Sequence, residues 1–238
     1  NGYCHYNDDN DNKYFEINLF NINIRLKQDP GTRALGHGAV VWDSSVIFSK
    51  YMENNPKIFS HSELTGKKVL ELGSGCGLAG LSFMIKGAEV VLTDLLPVTT
   101  VMTTPNAESV FSQVKSQGNG LTPIRPRVIP LDWSDREASQ LIYSTIEPPS
   151  LIFDIIIMTD CVFSKALTSS IIETLREHSN SRTDIYCCYE IRDEEINDYF
   201  IEEMSQVFNL KRIKSNSLNP NYSNQLIQIV RAKLKRNL

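Results

Sequence analysis

The sequence predicts an α/β domain with a mostly parallel sheet and helices on both faces. Three observations carry that prediction. Short apolar runs rich in β-branched residues alternate with amphipathic helical stretches from residue 15 to the end of the chain. Glycine, Asp and Trp residues gather just past those runs, at the carboxyl ends of strands where such sheets bind ligands. No repeat and no second composition regime divides the 238 residues, a length suited to one domain.

The elements follow in order. Residues 1–14, rich in Asn and Asp and poor in aliphatics, predict a mobile tail ahead of a single domain over 15–238. From Phe15 on, Ile17, Leu19, Ile22, Ile24 and Leu26 alternate with polar residues, which predicts a strand or hairpin with one buried face. Asp29-Pro30-Gly31 is a turn, and Gly36-His37-Gly38 a flexible lead-in. Asp43 or Ser44 is placed to cap a helix running to about Asn54, with Val46, Ile47, Tyr51 and Met52 on its apolar stripe. Lys68 to Leu72 reads as a strand ended by a burst of glycines, Leu78 to Lys86 as a helix, and Glu89 to Thr93 as a strand ended by Asp94. Pro97 to Gln117 is expected to be helical in part, interrupted by Pro105, with a loop over 119–126.

Val128 to Leu131 is the next strand, followed by a helix over 138–146 and a linker turn at 147–150. Phe153 to Met158 is apolar throughout, as a strand buried on both faces requires. A helix over Ser164 to His178, a strand over Asp184 to Tyr189 and a helix over Asp193 to Val207 come next. Phe208 to Ile213 and Leu226 to Arg231 are expected to close the sheet as an antiparallel pair.

Composition excludes several classes. Hydrophobic residues make up 41% and charged residues 22%, ordinary for a globular domain. Lys plus Arg is 24 and Asp plus Glu is 28, so the net charge is 24 − 28 = −4, without the basic excess of a nucleic-acid or anionic-membrane binder. No apolar run approaches the ~20 residues that span a bilayer. The cysteines at 4, 76, 161, 187 and 188 form no C-x-x-C pair, which reads as a reduced, intracellular chain. The histidines at 5, 37, 61 and 178 are dispersed without metal-ligand spacing, so no metal is expected.

The segment Glu71-Leu72-Gly73-Ser74-Gly75-Cys76-Gly77 follows a strand and opens a helix, where glycines let a ligand approach the main chain. Two registers compete. Gly75 to Gly80 matches the dinucleotide fingerprint G-x-G-x-x-G, which would make the chain an NAD-dependent oxidoreductase. In that fingerprint the first glycine directly follows the strand, whereas Gly73 and Ser74 intervene here. The other register is E-x-G-x-G-x-G, starting at Glu71. Asp94 stands 94 − 75 = 19 residues after Gly75 and can accept both ribose hydroxyl protons in either register.

The E-x-G-x-G-x-G segment resembles motif I of the seven-strand S-adenosylmethionine-dependent methyltransferases. With Val41-Trp42-Asp43-Ser44-Ser45, Leu131-Asp132-Trp133 and Thr159-Asp160-Cys161-Val162-Phe163, the chain is similar to the protein-lysine methyltransferases of the methyltransferase-like 21 type from about Ile22 to Arg192. The resemblance implies a Rossmann-like class I methyltransferase fold with a seven-stranded, mostly parallel sheet. It implies S-adenosyl-L-methionine as cofactor and a lysine of a non-histone protein as acceptor, of a chaperone-like, ATPase or translation-factor kind. It places Trp42 over the methionine end of the cofactor and Glu71, Gly73, Ser74 and Gly75 at its amino-acid part. Asp94 falls at the ribose, Trp133 at the adenine, and Thr159 touches the cofactor by its backbone. Asp160 and Phe163 become the catalytic pair lining the acceptor pocket, with Tyr189 and Glu190 beside the substrate entrance. A monomeric, cytoplasmic or also nuclear enzyme that binds neither nucleic acid nor membrane is expected; a small-molecule N-methyltransferase is the alternative acceptor class. Ser44 and Ser45 depart from the family pattern, which usually has small residues there, often Ala.

Methyl transfer to an amine requires a neutral nitrogen in line with the sulfur–carbon bond. A lysine amine has a pKa of ~10.4 in water and must lose its proton. A narrow apolar slot favours the neutral form and holds it in near-attack geometry. Phe163 is expected to shape that slot, and Asp160 to orient the amine and accept the departing proton.

Overall fold

Alternation in the first apolar run closes a hairpin. β1 (Tyr14–Leu19) and β2 (Ile22–Lys27) pair antiparallel from Tyr14↔Lys27 to Leu19↔Ile22. The two-residue turn is Phe20-Asn21, both with positive φ (55° and 64°), as a tight primed turn requires. Leu19, Ile22, Ile24 and Leu26 are buried. The computed structural model describes residues 13–117, 122–135, 137, 152–214 and 217–236. The helix expected over 138–146, the linker at 147–150, most of the expected tail and the start of the loop at 119–126 lie outside the described residues.

A second sheet has seven strands: β3 (Lys68–Leu72), β4 (Glu89–Asp94), β5 (Arg127–Pro130), β6 (Ile155–Thr159), β7 (Asp184–Glu190), β8 (Phe208–Arg212) and β9 (Ile227–Leu234). Their order is β5-β4-β3-β6-β7-β9-β8. The first five run parallel, and β9 is antiparallel to both β7 and β8. Strand order reverses between β3 and β6, so a crevice opens above the carboxyl ends of this central pair.

Successive side chains of each strand enter opposite cores. Val69, Val90, Leu92, Ile157, Tyr186 and Cys188 face α1 (Asp43–Asn54), the short α2 (His61–Leu64), α3 (Leu78–Ile85), and the hairpin. Phe48 of α1 centres this core, with the rings of Phe59, Phe83 and Tyr186 at 5.6–6.3 Å. Leu70, Leu72, Ile156, Met158, Ile185 and Cys187 face the other way with Leu175 and Phe200. A short α4 (Leu96–Val98) and α5 (Thr104–Ser116) follow β4, and α6 (Lys165–Glu177) and α7 (Glu194–Val207) cover the second face. Each fully buried Leu, Ile, Phe or Met contributes roughly 1.5–3 kcal/mol relative to exposure.

The outer edge of β2 is closed by side chains. Asn106, Gln113 and Gln117 lie on one face of α5 and its end. Their amides bond the backbone N–H and C=O of Lys27, Arg25 and Asn23 respectively, at 2.7–3.1 Å. Alternate backbone groups of an edge strand would otherwise lie open to another chain.

Four expectations are corrected. Gly36–Ala39 is a turn of 3₁₀ helix rather than a loose lead-in. Helix α1 starts at Asp43 with Trp42 as its N-cap and no capping side chain, so neither Asp43 nor Ser44 caps it. Pro105 does not interrupt the helix after β4: it sits in the first turn of α5, where no N–H is missed, after a π-type turn over Thr99–Thr103. The strand expected from Phe153 starts at Ile155, since Phe153 N donates to His178 O instead of to the sheet.

Candidate active site

The glycine turn is strapped to its neighbours by backbone and carboxylate. Ser74 N donates to Thr93 O (2.8 Å) and Gly77 N to Ser74 O (2.6 Å). Gly75 N donates to Asp94 Oδ2 and Leu95 N to Asp94 Oδ1, both at 2.7 Å. Thr103 Oγ1 donates to Gly75 O, and Asn106 Nδ2 to Cys76 O. Gly73 has φ 61°, and a Cβ there would lie 2.7 Å from Cys161 Sγ and 3.1 Å from the Trp133 ring, so only glycine fits under that indole.

These strand tips enclose a cavity of about 490 Å³ above the β3–β6 crevice. Gly73, Ser74, Gly75, Asp94, Trp133 and Thr159 line it, and so do Trp42, Asp160 and Phe163. Leu131, Leu35 and Val98 add apolar wall. Ser74 Oγ and Trp133 Nε1 are buried with no hydrogen-bond partner among the described residues. Such an orphan costs roughly 1–3 kcal/mol, so a ligand that satisfies it is favoured. Burial pushes the Asp94 carboxyl upward from its usual range, against the pull of the Gly75 and Leu95 N–H groups. Further acceptor capacity remains on both Asp94 oxygens. Apolar walls, a ribose-competent carboxylate and two orphan polar groups suit a nucleoside carrying an amino-acid arm.

Asp160 brings a second group of polar contacts to the cavity. Asp160 follows β6 with φ 53°, a left-handed conformation that Asp tolerates better than most residues. Its side chain is 6% exposed. Asp160 Oδ1 accepts from Glu190 N (3.0 Å) and Oδ2 from Ser44 Oγ (2.6 Å). The Arg192 guanidinium lies 3.7 Å from Oδ2, 2.8 Å from Glu190 Oε2 and 4.8 Å from the centre of the Trp42 ring. Trp42 Nε1 donates to His37 O, and the His37 ring lies 5.9 Å from the half-exposed Phe163 ring.

Three expected contacts move. Glu71 does not line the cavity; it is fully buried beneath the turn, where Oε2 accepts from Gly80 N (3.0 Å) and Oε1 has no partner among the described residues. Burial pushes its carboxyl up to about 8, and the Asp94 carboxylate adds to the rise against the Gly80 N–H. Tyr189 is not beside the entrance: it is 1% exposed, packs edge-on against Phe200, and its hydroxyl bonds Gln228 and Asn197. Tyr189, one residue before the end of β7, lies on the α7 face, so strand parity points this side chain inward. Glu190 is absent from the lining too; its backbone N–H holds Asp160 and its carboxylate holds Arg192.

Ser44, His37 and Leu35 are not among the expected site residues. The signal for the 35–38 stretch was its paired glycines, since Gly38 O sits 3.3 Å from where a Cβ on Gly75 would lie. Ser44 reads locally as a helix-cap candidate, and its actual partner is 116 residues away.

A family model described as lysine methyltransferase matches residues 19–207. The Danio rerio protein N-lysine methyltransferase METTL21A is 29% identical over 202 residues, 85% of this chain and 82% of that protein. The Xenopus tropicalis EEF1A lysine methyltransferase 3 is 28% identical over 196 residues, 81% of this chain and 75% of that protein. Among solved structures, the T. thermophilus 16S rRNA methyltransferase RsmC in complex with AdoMet and guanosine shares the fold, with a TM-score of 0.56 at 15% identity over 93% of this chain and 50% of that one. A putative SAM-dependent methyltransferase from Streptococcus mutans does so at 0.58 and 16%, over 97% of this chain and 57% of that one. The family match decides the register of the glycine turn in favour of E-x-G-x-G-x-G over the dinucleotide fingerprint.

Proposed function

This chain belongs to the lysine methyltransferase family, and from that premise we propose how its cavity delivers a methyl group to a lysine side chain. The donor, S-adenosylmethionine, supplies a sulfonium methyl group that an amine takes in line as a neutral thioether leaves. Gly73, Ser74 and Gly75 would hold its amino-acid part, with the orphan Ser74 hydroxyl gaining a partner there. Asp94 would accept the ribose hydroxyls, Trp133 would cover the adenine, and Trp42 and the Thr159 backbone would flank the methionine end. Glu71 acts indirectly, by fixing the Gly80 end of the turn.

Asp160 and Phe163 work on the acceptor. Phe163, half-exposed at the mouth, bounds a slot for an alkyl chain. An ammonium entering that slot loses solvation, and the Arg192 guanidinium nearby adds like charge; both favour the neutral amine. The Asp160 carboxylate orients the nitrogen and takes its proton, directly or through water.

The observation that carries this reading is the convergence of Ser74, Asp94, Trp133 and Asp160 on one cavity. The finer assignments go with it: a protein lysine of a chaperone, ATPase or translation-factor kind as acceptor, a monomer of one domain over 15–238, and a cytoplasmic location without nucleic-acid binding. Among the described residues no helix is long and apolar enough to cross a membrane. The test is Asp160→Ala, with S-adenosylmethionine affinity measured beside turnover on lysate proteins and a labelled methyl donor, followed by mass spectrometry of the labelled residue. Retained binding with methylation lost supports the reading. Unchanged turnover, or label on a small molecule only, refutes it.

A further inference from the structure

We infer that Ser44 is a positioning residue that aims the Asp160 carboxylate at the acceptor, an inference that rests on the role given to Asp160 above. Ser44 lies in the first turn of α1, is wholly buried, and does not line the cavity. A serine at a helix start ordinarily spends its hydroxyl on an exposed backbone N–H of its own helix. Here the α1 N-terminus has no capping side chain, Ser45 Oγ donates to Trp42 O, and Ser44 Oγ donates to Asp160 Oδ2 at 2.6 Å. The backbone of Ser44 is tied to the same place, since Cys188 Sγ donates to Ser44 O and Asp160 N donates to Cys188 O. The start of α1, the end of β6 and the end of β7 thus meet at one carboxylate.

Two donors on two different oxygens fix the plane of that carboxylate. Glu190 N holds Oδ1 and Ser44 Oγ holds Oδ2. The third polar neighbour, Arg192, stands 3.7 Å from Oδ2 with 41% of its side chain exposed, and it also pairs with Glu190 and lies over Trp42. Its long side chain cannot set a direction as a buried hydroxyl can. Without the Ser44 hydroxyl, the carboxylate is free to turn about its Cβ–Cγ bond toward the guanidinium, away from the line of an entering amine. Ser44 therefore acts on turnover through Asp160 and not on cofactor binding, which Ser74, Asp94 and Trp133 are proposed to perform.

The experiment compares Ser44→Ala, Ser44→Thr and Asp160→Ala with the unchanged chain. It reads kcat on protein acceptor, Kd for S-adenosylmethionine and the thermal midpoint. Loss of one hydrogen bond to a charged group predicts a kcat about 10- to 100-fold lower for Ser44→Ala, with Kd close to that of the unchanged chain and a midpoint lowered by several degrees, the chain still folded at the assay temperature. Ser44→Thr, which restores the hydroxyl, recovers most of the rate. The inference is overturned if Ser44→Ala turns over within twofold of the unchanged chain. It is equally overturned if affinity for S-adenosylmethionine falls as far as the rate, or if a folded Ser44→Thr stays as slow as Ser44→Ala. Full turnover by Asp160→Ala would instead remove the reading on which the inference rests, so the two failures are told apart.

Discussion

Glu71 carries a pH dependence of stability that a single substitution isolates. Its carboxyl is fully buried, with Gly80 N on one oxygen and no partner among the described residues on the other. Burial lifts it from an ordinary 4.5 to about 8. Between those values the folded chain keeps a proton that the unfolded chain releases. Stability from this group is therefore complete below about pH 4.5, falls as pH rises, and is level above about 8. Each pH unit inside the window is worth ~1.4 kcal/mol, so pH 5 to pH 8 weighs up to roughly 4 kcal/mol. Glu71→Gln keeps an acceptor for Gly80 N and cannot ionise. Urea unfolding of both chains at pH 5, 6, 7 and 8 reads the difference directly, because all other titrating groups are shared. The two free energies should agree within about 1 kcal/mol at pH 5, and the Gln chain should gain steadily, by roughly 2–4 kcal/mol at pH 8. Parallel curves across that range would show that Glu71 is ionised in the fold and that the argument from burial is wrong.

Three further outcomes are expected. Asn106→Ala removes three hydrogen bonds from a buried amide that joins β2 to the Cys76 carbonyl; unfolding free energy should drop by roughly 2–4 kcal/mol, and a loss under 1 kcal/mol would mean the amide ladder is ornamental. Gly80→Ala puts a Cβ 2.4 Å from Leu92 Cδ2 and 2.5 Å from Glu71 Oε2, so it should cost about 1–3 kcal/mol by overpacking, and a thermal midpoint no lower than that of the unchanged chain would contradict this. Asp94→Ala should raise the Kd for S-adenosylmethionine at least about tenfold by calorimetry; equal affinity would place the ribose elsewhere.

Much of the fold was legible because its causes are local. Runs such as Lys68–Leu72 and Asp184–Glu190 alternate between two apolar faces, and that alternation by itself demands a sheet covered on both sides. Asp193 was readable as a helix start because its side chain bonds Ile196 N three residues on. Gly73, Ser74, Gly75, Asp94, Trp133, Thr159 and Asp160 stand out in the sequence because strand ends are where such sheets leave polar groups uncommitted, and the structure brings them to one cavity. Pro105 misled because a proline within a helical stretch reads as a break, whereas the π-type turn ahead of it supplies a new helix start.

By itself the sequence determined the strand and helix pattern, the glycine turn and the carboxylate 19 residues after Gly75, all set by neighbours within a few positions. Only the tertiary structure decided where side chains of equal local meaning were sent. Ser44 could have capped its own helix but reaches Asp160, 116 residues on. Glu71 and Tyr189, both placed at the site by the family resemblance, were turned by strand parity into the packed interior. Parity and long-range pairing depend on which elements end up adjacent, and no local window of residues contains that information.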